Sequence, residues 1–280
     1  MARTPTLSFK SKPVIGVVHL PPLPGSPRGG NIDGLTGYAV NEAAKLVDKG
    51  VDAVIIENYG DKPFTIRVKN PATLAAMAII VHEVAKSLNY RVPVGVSLLR
   101  NSGPEAIAIA YTSGASFVRI NAYCEPRVAP EGLLEPVMRE VEEMKHRLGA
   151  DTIQVLADID CKHSKPLTPG YDPREAAREC IERGSPTAII VTGPRTGEPP
   201  HPGYVAAITR AVDIPIIVGS GVNPENIRIY WPIASGFIVG TYFKTDGKTT
   251  NPVDPKRVES LMSIVHTLRS TEKRSQQSKH

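Results

Sequence analysis

Two short apolar runs near the C-terminal end of the chain stop abruptly at glycine and hydroxyl residues. The first is PIIVGSGV (Pro215–Val222), and the second is GFIVGT (Gly236–Thr241). Runs of β-branched residues this short are typical of strands buried on both faces, as in a parallel sheet. Glycines directly after such strands let backbone N–H groups approach an anion closely. The two turns therefore predict a phosphate-binding site on two adjacent parallel strands.

Short apolar runs alternate with helical patterns along the whole chain. The intervening segments often begin with proline and end at glycine, as helices commonly do. Such repeats predict a single closed (β/α)8 TIM barrel, with its phosphate site in the loops after strands seven and eight. An open, doubly wound sheet is the competing fold. The eight apolar runs are Val14–Leu20, Ala53–Glu57, Val94–Leu98, Phe117–Ile120, Ile153–Ile159, Ala188–Val191, Ile214–Val218 and Phe237–Val239.

The basic character of the chain is concentrated at its two ends. Of the formal net charge of +5, residues 1–12 and 269–280 each carry +3, which leaves −1 for the body. We expect residues 1–12 to be a basic N-terminal segment, 13–268 to be the barrel, and 269–280 to be a disordered basic tail. Because a nucleic-acid footprint needs clustered basic residues on the folded body, we expect no nucleic-acid partner.

The cysteines and the hydropathy pattern bear on location. Cys124, Cys161 and Cys180 are odd in number and sparse, which favours a reducing compartment and packing roles over a disulfide framework. No stretch is long and apolar enough to cross a bilayer, and the N-terminus lacks the apolar core of a signal peptide. These features predict a cytoplasmic protein with at most peripheral membrane contact. We also expect a homo-oligomer, as is common for soluble enzymes.

The densest group of chemically capable residues is LADIDCKHSKPL, at the end of the fifth predicted strand. Asp158 and Asp160 are two apart on an extended segment, so we expect them on one side, where paired carboxylates suit general acid–base chemistry. A divalent metal held by both, with His163 or Cys161 as a further ligand, is an alternative. Lys162 is a candidate for a Schiff base or for neutralising an oxyanion. The competing structural interpretation is that the aspartates cap the following segment.

Three further strand ends present ionisable side chains to the mouth of the predicted barrel, where barrel enzymes carry their chemistry. Glu57 ends the second strand and is a candidate for catalysis or for an ion pair with Arg119 or Arg100. His19 ends the first strand and is a candidate acid, base or rim residue. Arg119, in the fourth strand, is a candidate for stabilising negative charge.

The predicted phosphate site combines backbone turns with one arginine. Arg195, in the loop after the sixth strand, is a candidate bidentate phosphate donor. Its alternative is a solvated turn residue. The remaining candidate phosphate-binding residues belong to the two terminal breaks and are Gly219, Ser220, Gly221, Gly240 and Thr241.

Several longer motifs together are similar to those of a known family. They are KPVIGVVHLPPLPGSPR, DAVIIENYGDKPF, FVRINAYCEPRVAPEG, LADIDCKHSKPL, VGSGVNPENI and VGTYFKTDG, in this order over nearly the whole chain. In these motifs the chain resembles the BtpA/SgcQ family. The resemblance implies a (β/α)8 barrel of the ribulose-phosphate-binding type. It also implies relatives in photosystem I biogenesis, peripherally associated with the thylakoid membrane, and relatives in sugar-utilisation operons.

Two classes of function follow from these residues and from the resemblance. The first is an enzyme acting on a phosphorylated sugar or related small metabolite, as an isomerase, epimerase, aldolase or glycosidic-type lyase. The strand-end carboxylates would transfer protons, and Lys162, His163 or Arg119 would stabilise developing negative charge. The second is a non-catalytic biogenesis or assembly factor of a membrane complex such as photosystem I. Fold alone does not decide between them, but a scaffold does not need an ionisable residue at so many strand ends.

Overall fold

The computed structural model describes residues 2–277 and contains a closed barrel of eight parallel strands. Around the barrel the order is β1, β11, β10, β9, β7, β4, β3, β2, so strands close in sequence also pair in space. The predicted TIM barrel is therefore confirmed. The barrel strands are β1 (Val14–His19), β2 (Ala53–Glu57), β3 (Val94–Ser97), β4 (Phe117–Ile120), β7 (Gln154–Ile159), β9 (Ala188–Val191), β10 (Ile216–Val218) and β11 (Gly236–Val239).

Helices connect the strands and surround the barrel. Asparagine or aspartate side chains cap the N-termini of three of them, α1, α2 and α5, and proline lies in the first turn of several. The helices are α1 (Ile32–Asp48), α2 (Pro71–Ser87), α3 (Gly103–Ser113), α4 (Met138–Leu148), α5 (Pro173–Gly184), α6 (Pro202–Thr209), α7 (Ile227–Tyr230) and α8 (Pro255–Gln277). Among the described residues, no helix is both long enough and apolar enough to cross a membrane.

A small antiparallel sheet, which the alternating pattern does not predict, extends from the mouth of the barrel. It consists of β5 (Arg127–Ala129), β6 (Gly132–Leu134) and β8 (Lys165–Pro166), with β5 in the centre. The strands have only two or three residues each, which is too short for a periodic signal in the sequence. This sheet covers one side of the barrel mouth, beside the end of β7.

The N-terminal segment closes the opposite end of the barrel. Leu7 is buried among the apolar side chains that fill the barrel interior, and Phe9 packs against the same cluster. The side chain of Gln154 accepts a hydrogen bond from the N–H of Leu7 at 2.6 Å and donates one to its carbonyl at 3.1 Å. Residues 2–12 are therefore a packed plug in addition to a basic segment, since a barrel end needs apolar cover.

The structure differs from the expectations for the C-terminal tail and for the cysteines. Helix α8 continues through residues 269–277, where we expected a disordered tail, and Arg269 bonds to Asp52 at 2.6 Å. Residues 278–280 lie outside the described residues. Cys124 and Cys180 form a disulfide that joins the loop after β4 to α5, although the sequence favoured packing roles. The odd number of cysteines argued against a disulfide. In the structure two of the three cysteines pair, and the third, Cys161, is free and buried.

Candidate active site

The interior of the barrel changes from apolar to charged along its axis. Side chains of a strand alternate between the two faces, so every second residue of each barrel strand points inward. Ile15 and Val17 lie in the interior cluster, and His19 follows at the next inward position. The same alternation brings Glu57, Arg119 and Asp158 to the last inward layer, directly above that cluster. The rim of ionisable residues is thus a ring inside the mouth of the barrel.

Asp158 is held in a closed ion pair. Its carboxylate accepts two parallel hydrogen bonds from Arg119, at 3.0 and 2.9 Å, and a third from Asn121 at 2.9 Å. Asp158 is fully buried, and Arg119 is only 4% exposed. Burial alone would lower the pKa of Arg119, but the charge and hydrogen bonds of Asp158 raise it. The carboxylate of Asp158 is therefore committed to these two side chains, in a bidentate ion pair with Arg119 and a hydrogen bond from Asn121.

Asp160 does not join Asp158, which corrects the expected carboxylate pair. Strand β7 ends at Ile159, and Asp160 has a φ of 52°, so the alternation of the strand stops there. Asp160 instead pairs with the buried Arg127 and accepts a hydrogen bond from Tyr204 at 2.9 Å. The left-handed backbone turns this carboxylate away from the barrel axis. The two aspartates therefore have separate, structural partners.

A metal at the two aspartates is poorly supported by this arrangement. Within residues 2–277, no three or more His, Cys, Asp or Glu side chains come together as a set that could hold a metal ion. Cys161 lies next to Asp160, but burial raises the pKa of its thiol to about 11, and its sulfur contacts Ser164 at 3.2 Å. His163 contacts Thr196 at 3.0 Å. The candidate ligands thus face different neighbours.

Lys162 is the lysine that lines the cavities at the mouth of the barrel. Its ammonium makes no hydrogen bond or ion pair with any residue of the part that the structure describes. Its backbone is fixed, because Thr192 accepts from the Lys162 N–H at 3.2 Å and Arg100 donates to its carbonyl at 3.0 Å. Burial and then the neighbouring Arg119 lower the pKa of Lys162 to about 8. A fraction of this amine is therefore neutral near physiological pH.

Glu57 and His19 stand next to each other across β1 and β2. His19 Nε2 lies 3.7 Å from Glu57 Oε1, and Ser97 donates to Glu57 Oε2 at 3.1 Å. Burial, followed by the charges of Lys244 and Lys162, lowers the pKa of His19 well below its usual value, so the imidazole is neutral. Glu57 is 4% exposed and makes no contact with Arg119 or Arg100 within ion-pair distance. It is the carboxylate best placed for proton transfer.

The turns after β10 and β11 come together as predicted. A small cavity at this point, the turn cavity, reaches down to the charged ring. No hydrogen bond among the described residues uses the N–H groups of Ser220 and Gly221, so both are available to an anion. The residues that line the turn cavity are Val17, His19, Glu57, Arg119, Lys162, Thr196, Gly219, Ser220, Gly221, Gly240 and Thr241.

The turn residues also have packing roles that the sequence does not reveal. Gly221 has a φ of +69°, and a Cβ there would lie 2.1 Å from the backbone nitrogen of Pro199. A Cβ on Gly240 would lie 2.6 Å from the ring of His19. The hydroxyl of Ser220 accepts from the N–H of Gly193 at 2.8 Å and donates to the carbonyl of Glu198 at 2.7 Å. Substituting Gly221 would therefore disturb the neighbouring loop before it affected a ligand.

A larger cavity, the mouth cavity, adjoins the turn cavity and has a volume of about 540 Å³. It shares Glu57, Arg119, Lys162 and Thr196 with the turn cavity. Arg195 is exposed and lines this cavity rather than the turn cavity, so it does not reach the predicted phosphate position directly. The other residues that line it are Tyr59, Lys62, Pro63, Phe64, Leu99, Arg100, Asn121, Pro130, Glu131 and His163.

A third cavity, the side cavity, has about 920 Å³ and opens between the small sheet and the loop after β9. Asp160, Tyr171 and Tyr204 line it, and Lys162 borders it as well. Burial raises the pKa of both tyrosines, so their hydroxyls stay protonated. Because Glu57 and Arg119 do not reach this space, the two smaller cavities hold the greater part of the charged ring.

A comparison with known proteins identifies the family. The model of the BtpA family matches residues 10–267. The chain belongs to the BtpA family. A protein of Pyrococcus horikoshii is 40% identical over 264 residues, which cover 94% of this chain and 99% of that protein. The photosystem I biogenesis protein BtpA of Synechocystis is 37% identical over 256 residues, which cover 90% of this chain and 88% of that protein.

Solved structures similar to this BtpA-family chain are TIM-barrel enzymes. The thiamine phosphate pyrophosphorylase of Pyrococcus furiosus has a TM-score of 0.56 at 16% identity, covering 93% of this chain and 98% of that one. A structure described as native KDPGal has a TM-score of 0.56 at 16% identity, covering 97% and 100%. At these identities the likeness establishes the fold and leaves the reaction open.

The sequence did not predict the contacts that hold the mouth in place. Arg127 is fully buried and binds Asp160, Ser164 and Glu125. Arg100 is 4% exposed and lies 3.4 Å from Glu131. These contacts depend on the small sheet, whose strands are too short to be predicted. The one sequence signal for them is an arginine placed among short apolar segments.

Proposed function

We propose that the chain is an enzyme that acts on a phosphorylated sugar or a related small metabolite. The phosphate binds at the Gly219–Gly221 and Gly240–Thr241 turns, and the carbon skeleton extends into the mouth cavity. The observation that carries this proposal is the position of Lys162 and Glu57, since both line the turn cavity and the mouth cavity. A molecule anchored in the first cavity would place its reacting carbons between an amine and a carboxylate.

General acid–base chemistry follows from these two groups. Glu57 can accept a proton from a carbon or a hydroxyl, and Lys162 can supply or withdraw one because its pKa is about 8. Arg119 is committed to Asp158 but adds positive charge next to a developing oxyanion. His19, being neutral, can donate one hydrogen bond without changing the net charge of the site. Asp158 and Asp160 hold the framework in this proposal.

The test uses a panel of sugar phosphates with their unphosphorylated sugars as paired controls. We expect ribose 5-phosphate or another member of the panel to raise the melting temperature and to yield a product detectable by mass spectrometry. The Lys162→Gln variant should keep the thermal shift and lose the product. Lys165→Gln, three residues away on the exposed β8, should keep both. If no phosphorylated compound shifts the melting temperature at millimolar concentration, the proposal is wrong.

A biogenesis role is the second candidate, because the Synechocystis relative is named for photosystem I biogenesis. A scaffold would act through its surface and would not need the amine of Lys162. Complementation of a strain that lacks the gene therefore separates the two roles. Rescue by the Lys162→Gln variant would favour the scaffold, whereas failure of a well-folded variant would favour catalysis. The predicted homo-oligomer stays a prediction.

A further inference from the structure

Lysines near the C-terminal end of the barrel differ in whether they have a counter-ion. Lys244 is fully buried and lies 3.4 Å from Glu42, and Lys45 lies 2.8 Å from the same carboxylate. Lys162 has no carboxylate within ion-pair distance, although it lines all three cavities at the mouth. A lysine that serves as a fixed structural charge has no need of such a position.

The surroundings of Lys162 favour its neutral, nucleophilic form. The positive charges of Arg119 and Arg100 act on it and lower its pKa. Their repulsion disfavours the ammonium, and Glu57 and Asp158 oppose this effect only in part. Amines activated by desolvation or by neighbouring cations are the ones that attack carbonyl groups in proteins.

The cavities would bring a carbonyl of a bound molecule within reach of this amine. With its phosphate at the turns, the rest of such a molecule would lie against Tyr59, Phe64 and Leu99 in the mouth cavity. Lys162 borders both spaces, so a carbonyl a few bonds from the phosphate would meet its nitrogen. Glu57, on the same two spaces, can carry a proton between that nitrogen and the carbonyl oxygen.

We infer that Lys162 forms a Schiff base with a phosphorylated aldehyde or ketone. This inference rests on the proposed function and narrows its substrate class to carbonyl compounds. The ammonium first gives one proton to the Glu57 carboxylate. The neutral amine then attacks the carbonyl carbon, a C–N bond forms, and one N–H proton passes to the oxygen to give a carbinolamine. Glu57 returns its proton to that oxygen, the C–O bond breaks, and water leaves. Overall, the ammonium and the carbonyl give an iminium and one water, with no other reactant.

The iminium is a better electron acceptor than the carbonyl oxygen that it replaces. Its positive nitrogen accepts the electron pair released when a C–H or C–C bond on the adjacent carbon breaks. Glu57 is the residue placed to take the proton from that carbon. Arg119 offsets the charge of Asp158, and His19 is neutral, so neither pair nor imidazole adds net negative charge next to the reacting carbon. The site is thereby suited to aldol-type or enolisation chemistry.

Pyridoxal 5′-phosphate is a suitable probe, because it combines an aldehyde with a phosphate. We treat the full chain with it, reduce with borohydride, and locate the mass increase by peptide mapping. The adduct is expected on Lys162, with at least a tenfold slower reaction for unphosphorylated pyridoxal and protection by inorganic phosphate. Lys162→Arg should lose the adduct, and Lys165→Arg should keep it. Equal labelling of Lys165, or labelling spread over surface lysines, would overturn the inference.

The two proposals fail in different ways. If inorganic phosphate raises the melting temperature but no adduct forms on Lys162, the Schiff base is wrong and the phosphate site stands. If pyridoxal and pyridoxal 5′-phosphate label Lys162 equally and phosphate neither protects nor stabilises, the amine is reactive but the phosphate site is wrong. The wild-type labelling result does not depend on whether Lys162→Arg folds.

Discussion

Lys162 and Lys244 show two different outcomes of withdrawing an ammonium from water. Lys244 is held by Glu42, which also accepts hydrogen bonds from Lys45 and from the N–H of Val253. Lys162 sits in an open cavity between arginines, with no counter-ion in contact. Burial lowers the pKa of both lysines, but only Lys244 has a carboxylate in contact that opposes this shift. A paired buried charge serves the fold, and an unpaired one at a cavity is a candidate for chemistry.

The largest expected effect separates these two lysines. Lys162→Met should lower turnover on the sugar phosphate by about a thousandfold, within the range for losing an essential acid or base. Its free energy of unfolding should not fall, because an uncompensated charge is removed. Lys244→Met leaves Glu42 with one ion pair fewer and should cost about 3 kcal/mol. Denaturant unfolding and initial rates measure both; a marked loss of stability in Lys162→Met would contradict the comparison.

The second expected effect concerns the closed pair of the ring. Asp158→Asn leaves Arg119 buried without its carboxylate, so we expect a loss of about 3 kcal/mol in the free energy of unfolding. Asp160→Asn is the matched control, because Arg127 keeps Glu125 at 3.6 Å and should lose less. Denaturant titration of both variants gives the values. Equal stability of Asp158→Asn and wild type, together with lost turnover, would restore Asp158 as the base.

These contrasts show what the sequence could and could not predict. The strand alternation predicts that His19, Glu57 and Asp158 point inward, since each lies two positions after an inward apolar residue at or next to the end of its strand. It fails at Asp160 because a left-handed residue ends the strand one position earlier than the pattern implies. A strand pattern carries no signal for where a side chain turns once the strand has ended.

The contacts of the small sheet and of the N-terminal plug were out of reach for a similar reason. Arg127 reaches Asp160 only because residues far apart in sequence form a sheet of very short strands. The Cys124–Cys180 pair spans 56 positions, and three cysteines do not specify their own pairing. The plug was hidden because Leu7 and Phe9 are isolated apolar residues in a polar segment. Contacts between residues far apart in sequence, unlike helix or strand periodicity, give no signal in the local sequence.

The third expected effect compares the two ends of the barrel. Leu7→Ala removes a side chain that is only 4% exposed within the interior cluster, and it should cost about 2 kcal/mol. The mouth lies at the other end of the axis, so the turnover of the folded variant should equal that of wild type. Ser8→Ala, at an exposed neighbour, should leave the melting temperature unchanged. Reduced turnover in folded Leu7→Ala would show that the plug and the mouth are coupled.

The smallest expected effect is the pH dependence of the amine. Below a pKa of about 8 Lys162 is protonated, so its rate of reaction with pyridoxal 5′-phosphate should rise about tenfold per pH unit from pH 6 and level off above pH 8. The pKa of His19 is lowered well below its usual value, so His19 stays neutral over that range and adds no inflection. Burial also lowers the pKa of His163. Glu57 and Asp158 favour the ammonium, whereas Arg119 and Arg100 oppose it.

Removing one of those cations sharpens the assignment of the inflection. Arg100→Gln takes away a charge that lowers the pKa of Lys162, so the whole profile should move to higher pH with the same plateau. Lys165→Gln, on the exposed β8 three residues away, should leave the profile in place. The labelling rate of each protein is followed by mass spectrometry from pH 6 to 10. Two results would contradict the assignment: a rate–pH profile that Arg100→Gln leaves unchanged, or an inflection only near the pKa of a free lysine. Either would mean that the reacting amine lies outside the ring of charges at the barrel mouth.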